Sequence, residues 1–231
     1  MKPNMPITLW LRWVWANALG EMIGLGLTFL VAALGFTKLE SLAGLAGILL
    51  AFAFAVASGI FEATLVSWAQ WWAIRPWFPG IRRGAWWRAT VIGALLAYIL
   101  GYLPSTIMSL QAETTQSAAA AELSQGVVLL LAAGMGLVGG AVLSFAQWRV
   151  LRKHIHGAWI WLPANMLAWM LGMPLIFWAI DKAQKLNSTY QVVPFMAVTL
   201  LVVGAIVGAV HGLALVRLAV KNQAKGIESI L

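Results

Sequence analysis

The chain has 231 residues, 62% of them hydrophobic and only 10% charged, with a mean hydropathy of +0.87 and a formal net charge of +8. Soluble domains are nearer half apolar and a quarter charged, and a chain of 25.0 kDa cannot hide this much apolar side chain inside a core surrounded by water. A soluble fold and a disordered chain are both excluded, and the absence of cysteine removes disulfides, thiolate metal sites and cysteine nucleophiles.

The composition points to an all-α integral membrane protein. Crossing a hydrocarbon core of ~30 Å takes about 20 apolar residues in a helix. Runs of that kind predict spans at 13–35, 47–72, 88–109, 126–148, 159–180 and 194–216. The first run is too long for the apolar region of a cleaved signal peptide, and no small-residue cleavage site follows it.

Lysine and arginine give the orientation. With the N-terminus inside, the inner segments carry Lys2, Arg12, Arg75, Arg82, Arg83, Arg88, Arg149, Arg152, Lys153, Arg217, Lys221 and Lys225, and the outer loops only Lys38, Lys182 and Lys185. This asymmetry predicts cytoplasmic N- and C-termini in a cell inner membrane. It also accounts for the positive charge without a nucleic-acid partner. The basic loop from Arg75 to Arg88 reads as a topology signal, and anionic lipid headgroups at the inner face are the partner its charge suits.

Trp10, Trp13, Trp15, Trp68, Trp71, Trp72, Trp77, Trp86, Trp87, Trp148, Trp159 and Trp161 all fall within about two turns of the inner ends of spans, whereas Trp169 and Trp178 lie elsewhere. An indole places its ring in the apolar zone and its N–H among headgroups, so the cluster is expected to be an anchoring girdle in the lipid bilayer.

The chain also repeats itself. Trp15-Ala-Asn-Ala-Leu-Gly20, Trp87-Arg-Ala-Thr-Val-Ile-Gly93 and Leu162-Pro-Ala-Asn-Met-Leu-Ala168 begin the outward spans. Ser67-Trp-Ala-Gln-Trp-Trp-Ala-Ile-Arg75 matches Ser144-Phe-Ala-Gln-Trp-Arg-Val-Leu-Arg152 on the returning ones, and more weakly Gly208-Ala-Val-His-Gly-Leu-Ala-Leu-Val216. Three tandem helical hairpins are expected, near 10–78, 84–153 and 157–220, and parallel repeats of this kind imply a pseudo-threefold axis along the membrane normal. Small residues recur every fourth position, as in Ala16/Gly20/Gly24 and Gly136/Gly140/Ser144. Such stripes let helices approach closely in lipid, as a glycine zipper does.

Alignment of the repeats puts Asn17, Thr90 and Asn165 at one position and Gln70, Gln147 and His211 at another. Amides and imidazole in hydrocarbon need partners, so these groups are expected to face one another inside the bundle. They serve either as interhelical glue, worth ~0.6 kcal/mol each, or as an inner vestibule that binds a solute. Two carboxylates break the symmetry. Measured from the inner ends of their spans at the helical rise, Glu21 lies about 12 Å deep in the first and Glu62, ten residues before Trp72, about 15 Å deep in the second. An ionised carboxylate at such depth costs at least ~2.5–3.5 kcal/mol. No lysine or arginine lies there to neutralise it, so at least one glutamate is expected to be neutral at pH 7. Acids so placed are candidates for coupling to protons or cations.

Signs of catalysis are thin: there is no H-E-x-x-H, no aspartate-rich motif and no phosphate-cradling loop. His154 and His156 form a His-x-His without a carboxylate or thiolate to complete a metal site. A single in-span histidine cannot ligate haem from both sides, and no in-span lysine can hold retinal. No metal or cofactor is therefore expected. Ser144 on span four and His211 on span six resemble the rhomboid protease arrangement. Ser144, however, stands in Val142-Leu-Ser-Phe145 rather than a Gly-x-Ser-Gly turn, and both residues lie toward the inside, whereas rhomboid sites open to the other face.

The three-hairpin plan resembles that of mitochondrial carriers in architecture, without their Pro-x-acidic-x-x-basic motif. The tandem Gln-Trp…Leu-Arg hairpins, which cover most of the chain, resemble a pattern in bacterial polytopic membrane proteins that carries no activity with it. Two functions are in view. One is a small-solute or proton/cation-coupled transporter with Glu21 and Glu62 as coupling acids. The other is a non-catalytic membrane scaffold or assembly subunit whose polar residues lock the bundle.

Overall fold

A computed structural model describes residues 5–39, 44–115 and 123–228. Among these the chain is helical nearly throughout, in six long helices: α1 (Met5–Leu39), α2 (Gly44–Ile74), α3 (Arg83–Thr115), α4 (Gln125–Leu151), α5 (Trp161–Ala183) and α6 (Thr189–Glu228). All six are long and apolar enough to cross a membrane. In hydrocarbon a helix satisfies each backbone N–H and C=O within its own segment, which is why such apolar runs take this form. The chain has the architecture of a polytopic membrane protein.

The helices outrun the expected spans. α6 has 40 residues where 23 were expected (194–216), and α1 starts eight residues before position 13. Hydropathy marks where the chain leaves hydrocarbon, whereas the i to i−4 ladder continues as long as the flanking residues tolerate it. On the termini-bearing side, Pro76, Pro79 and Gly80 fall in the turn between α2 and α3. Gly157, at φ 75°, supplies the left-handed conformation that starts the one-turn 3₁₀ segment Ala158–Ile160 before α5.

Each helix packs against its neighbours in the chain, and α6 returns to pack against α1, so the six close into a ring in sequence order. Leu19, Ile23 and Leu30 of α1, with Leu96 of α3 and Leu213 of α6, remain exposed on the outside. That is the expected state of side chains whose solvent is lipid. Glycines stand where the seams nearest the polar layer are tightest. A Cβ on Gly24 would lie 2.9 Å from the Glu62 Cα, one on Gly140 2.8 Å from the Asn165 carbonyl, and one on Gly204 2.5 Å from the Asn17 carbonyl.

Candidate functional site

Inside the ring the side chains form layers. The layer nearest the termini is aromatic. Trp13, Trp86 and Trp161 lie toward the N-terminal ends of α1, α3 and α5, on the same side of the ring, and are fully buried. Their rings meet edge to face, Trp13 to Trp161 at 5.8 Å and Trp86 to Trp161 at 6.2 Å between centroids. Phe78, Ile81, Leu151, Ile155, Leu215 and Leu218 pack around them and close this end of the ring.

One turn further in lies a polar layer whose bonds follow one scheme at successive stations. On each odd-numbered helix, the residue four places after the tryptophan bonds back to its carbonyl: Asn17 Nδ2 to Trp13 O at 2.7 Å, Thr90 Oγ1 to Trp86 O at 3.0 Å, and Asn165 Nδ2 to Trp161 O at 3.4 Å. On the even-numbered helices a polar side chain accepts the next helix's indole N–H. Gln70 Oε1 takes that of Trp86 at 3.2 Å, Gln147 Oε1 that of Trp161 at 3.0 Å, and His211 Nδ1 that of Trp13 at 2.7 Å. Gln70 then donates to Asn17 Oδ1 at 2.8 Å and Gln147 to Thr90 Oγ1 at 3.1 Å, tying each amide to the helices on both sides. Acceptance at Nδ1 puts the proton of a neutral His211 on Nε2.

Above this layer stand the two acids. Glu21 lies one turn beyond Asn17 on α1 and is 1% exposed; Glu62 on α2 is 9% exposed. Both line the same small internal cavity, and the Tyr98 hydroxyl of α3 donates to Glu62 Oε2. Glu21 Oε2 is buried and no donor among the described residues reaches it. The Tyr98 ring fits against α2 because Gly59 has no side chain: a Cβ there would lie 3.0 Å from the ring.

Two cavities meet at Glu62. Asn17, Gln70, Gln147, Asn165, His211, Glu21 and Glu62, together with Thr90, all line an internal cavity of about 20 Å³, room for about one water molecule. A second cavity of about 720 Å³ extends from it toward the far side, between α3, α4 and α5. Glu62, Ala94, Leu143 and Trp169 belong to both, so they form the ceiling of the small cavity and the floor of the large one. Among the described residues, no lysine or arginine lines either cavity.

The structure thus gathers into one place all seven candidates picked out in the sequence. The expected vestibule is different: on the termini side the polar layer is closed by tryptophan, and the open volume lies on the other side and is apolar. Trp13, Trp86 and Trp161 were expected in the lipid-anchoring girdle and are instead the plug. A signal for them was present, a tryptophan four residues before Asn17, Thr90 and Asn165 alike. Tyr98 and Trp169 carried no such signal. Ser144 Oγ donates to the Ala141 carbonyl of its own helix at 3.0 Å, and His211 is engaged by Trp13, so the two form no protease pair. The His154–His156 loop instead clamps α6, with the His156 N–H donating to Asn222 Oδ1 at 2.9 Å.

No protein-family model matches the chain, and neither a curated protein nor a solved structure shows significant similarity to it.

Proposed function

We propose that the protein is a proton- or cation-coupled transporter of a small solute, with the Glu21–Glu62 pair as the exchange site. The observation that carries this reading is the cavity of about 720 Å³ that reaches the buried Glu62, with Glu21 in the small cavity behind it and no lysine or arginine among the described residues lining either. A scaffold subunit needs neither the volume nor the cost of burying two carboxyls. The polar layer fastens the helices around the site, and the aromatic plug below it closes the pathway at one end, as one state of an alternating-access cycle requires.

In this reading the chain is three tandem hairpins about a pseudo-threefold axis, and Glu21 and Glu62 mark the hairpin in which the repeat was adapted for coupling. The Trp–Asn/Thr/Gln/His bonds, recurring at three stations, support that descent. The 12-to-3 division of lysine and arginine supports cytoplasmic termini in the inner membrane. On the same face Arg12, Arg75, Arg83 and Arg152 lie over tryptophan rings, at 4.1–5.7 Å from the centroids, which suits a surface apposed to anionic headgroups.

The test is pH-driven flux in proteoliposomes holding wild type, Glu21→Gln or Glu62→Gln. Glutamine keeps the shape and most hydrogen bonds of glutamic acid and removes only ionisation. A transporter loses coupled flux in at least one variant that still folds. Equal flux in all three proteins removes the coupling role and favours the scaffold.

A further inference from the structure

We infer that the solute is an apolar organic cation, held in the large cavity with its charge against Glu62 and its body among aromatic side chains; this rests on the transporter reading and names its substrate class. The volume of about 720 Å³ lies within the roughly 300–1,000 Å³ of small-molecule sites. The walls are largely hydrophobic, so a strongly hydrated ion or a sugar would lose its water there without replacement. Glu62 is the one ionisable acid among them, and it lies at the floor. Glu21 waits behind it with an unpaired buried oxygen.

Tyr98, Tyr102, Trp169, Phe29 and Phe177 also line the cavity. Aromatic faces attract a cation by their quadrupole, most strongly where water is excluded. An anion would meet the same faces and the acids unfavourably. A neutral apolar molecule would leave the carboxyl pair as it is and provide no coupling.

The charge arithmetic links the cation to a proton. The titratable groups that face Glu62 are Glu21 from α1, Tyr98 and Tyr102 from α3 and, across the small cavity, His211 from α6. α4 and α5 present only Gln147, Asn165 and apolar or aromatic groups there. With no fixed positive charge present, the proton held by the acid pair leaves as the organic cation arrives, and the net charge of the site is preserved. Tyr98 holds the Glu62 carboxyl in place during the exchange.

The probe is tetraphenylphosphonium, with tetraphenylborate as its anion of nearly equal shape, titrated into purified full-length protein in lipid nanodiscs against empty nanodiscs. Wild type is expected to bind the cation saturably and the anion not at all. Affinity should fall as pH is lowered, by about tenfold per pH unit where one proton is exchanged. Glu62→Gln should lose saturable binding with its melting temperature retained, Glu62→Asp should keep it, and Tyr98→Phe should weaken it. Equal binding of cation and anion, or cation binding unchanged by Glu62→Gln, overturns the assignment. If Glu62-dependent proton flux is present but the cation does not bind, the substrate class is wrong and the coupling stands. If the cation binds through Glu62 without any flux, the assignment of the ligand stands and the transporter reading falls.

Discussion

At the scale of single residues, the polar layer is held together by bonds in which each partner depends on the next. Gln147 is 1% exposed and satisfies the Trp161 indole on one side and Thr90 on the other. Replacing it by leucine keeps the bulk and leaves the Trp161 N–H unpaired, which costs about 1–3 kcal/mol for a buried donor. Gln147→Leu should therefore melt at a lower temperature than wild type in detergent, while Gln147→Glu at low pH, which keeps an acceptor for the indole, should recover part of the loss. An unchanged melting point in Gln147→Leu would contradict the bonding scheme. These polar positions were legible in the sequence because polar side chains are rare in apolar spans and these recur in register. The plug tryptophans were marked only by their spacing to those positions, because an indole near a membrane surface is equally at home in an interfacial belt. Trp13 and Trp15 are two residues apart, yet one is fully buried and the other 59% exposed. Only the helix phase relative to Asn17 separates them.

At the scale of helices, what closes the ring is the contact between its first and last elements. Gly204 of α6 lies against Asn17 and Ala18 of α1, backbone to backbone, so a methyl group there has nothing flexible to displace. Gly126, near the start of α4, faces open space. Gly204→Ala should destabilise the protein by about 1–3 kcal/mol, as overpacking of a tight interior does, and should disturb the Asn17–Gln70 bond beside it. Gly126→Ala should be neutral. Equal melting temperatures for the two variants would show that the α1–α6 seam is not closed as described. The stripes of small residues made close helix packing readable in advance. They did not say which helices meet, since a four-residue spacing fits any antiparallel pair; the ring order is a property of the assembled six. The large cavity was equally unreadable, because it arises where side chains fail to meet, and no residue type marks such a place.

For the molecule as a whole, the account requires one face for both termini and the basic loops, and the opposite face for the links between α1 and α2, α3 and α4, and α5 and α6. The chain contains no cysteine, so single cysteines at positions 40, 115 and 186 give labelling without background. Position 40 and the side chain at 115 lie outside the described residues; Leu186 lies in the turn after α5. All three should react with a membrane-impermeant reagent added outside the cell, and modification only from the cytoplasmic side would invert the topology.

The central claim is that a closed ring of helices holds an exchangeable proton on the Glu21–Glu62 pair. Infrared absorption of the protonated carboxyl, recorded on protein in lipid at neutral pH, tests it most directly. The account predicts a protonated-carboxyl band that is lost in the Glu21→Gln, Glu62→Gln double variant and that shifts in heavy water within minutes, because an exchange site must open to solvent. A band that stays unshifted for hours would mark a locked structural acid, and the absence of any such band in wild type would mean that the pair holds no proton; either result would contradict the account.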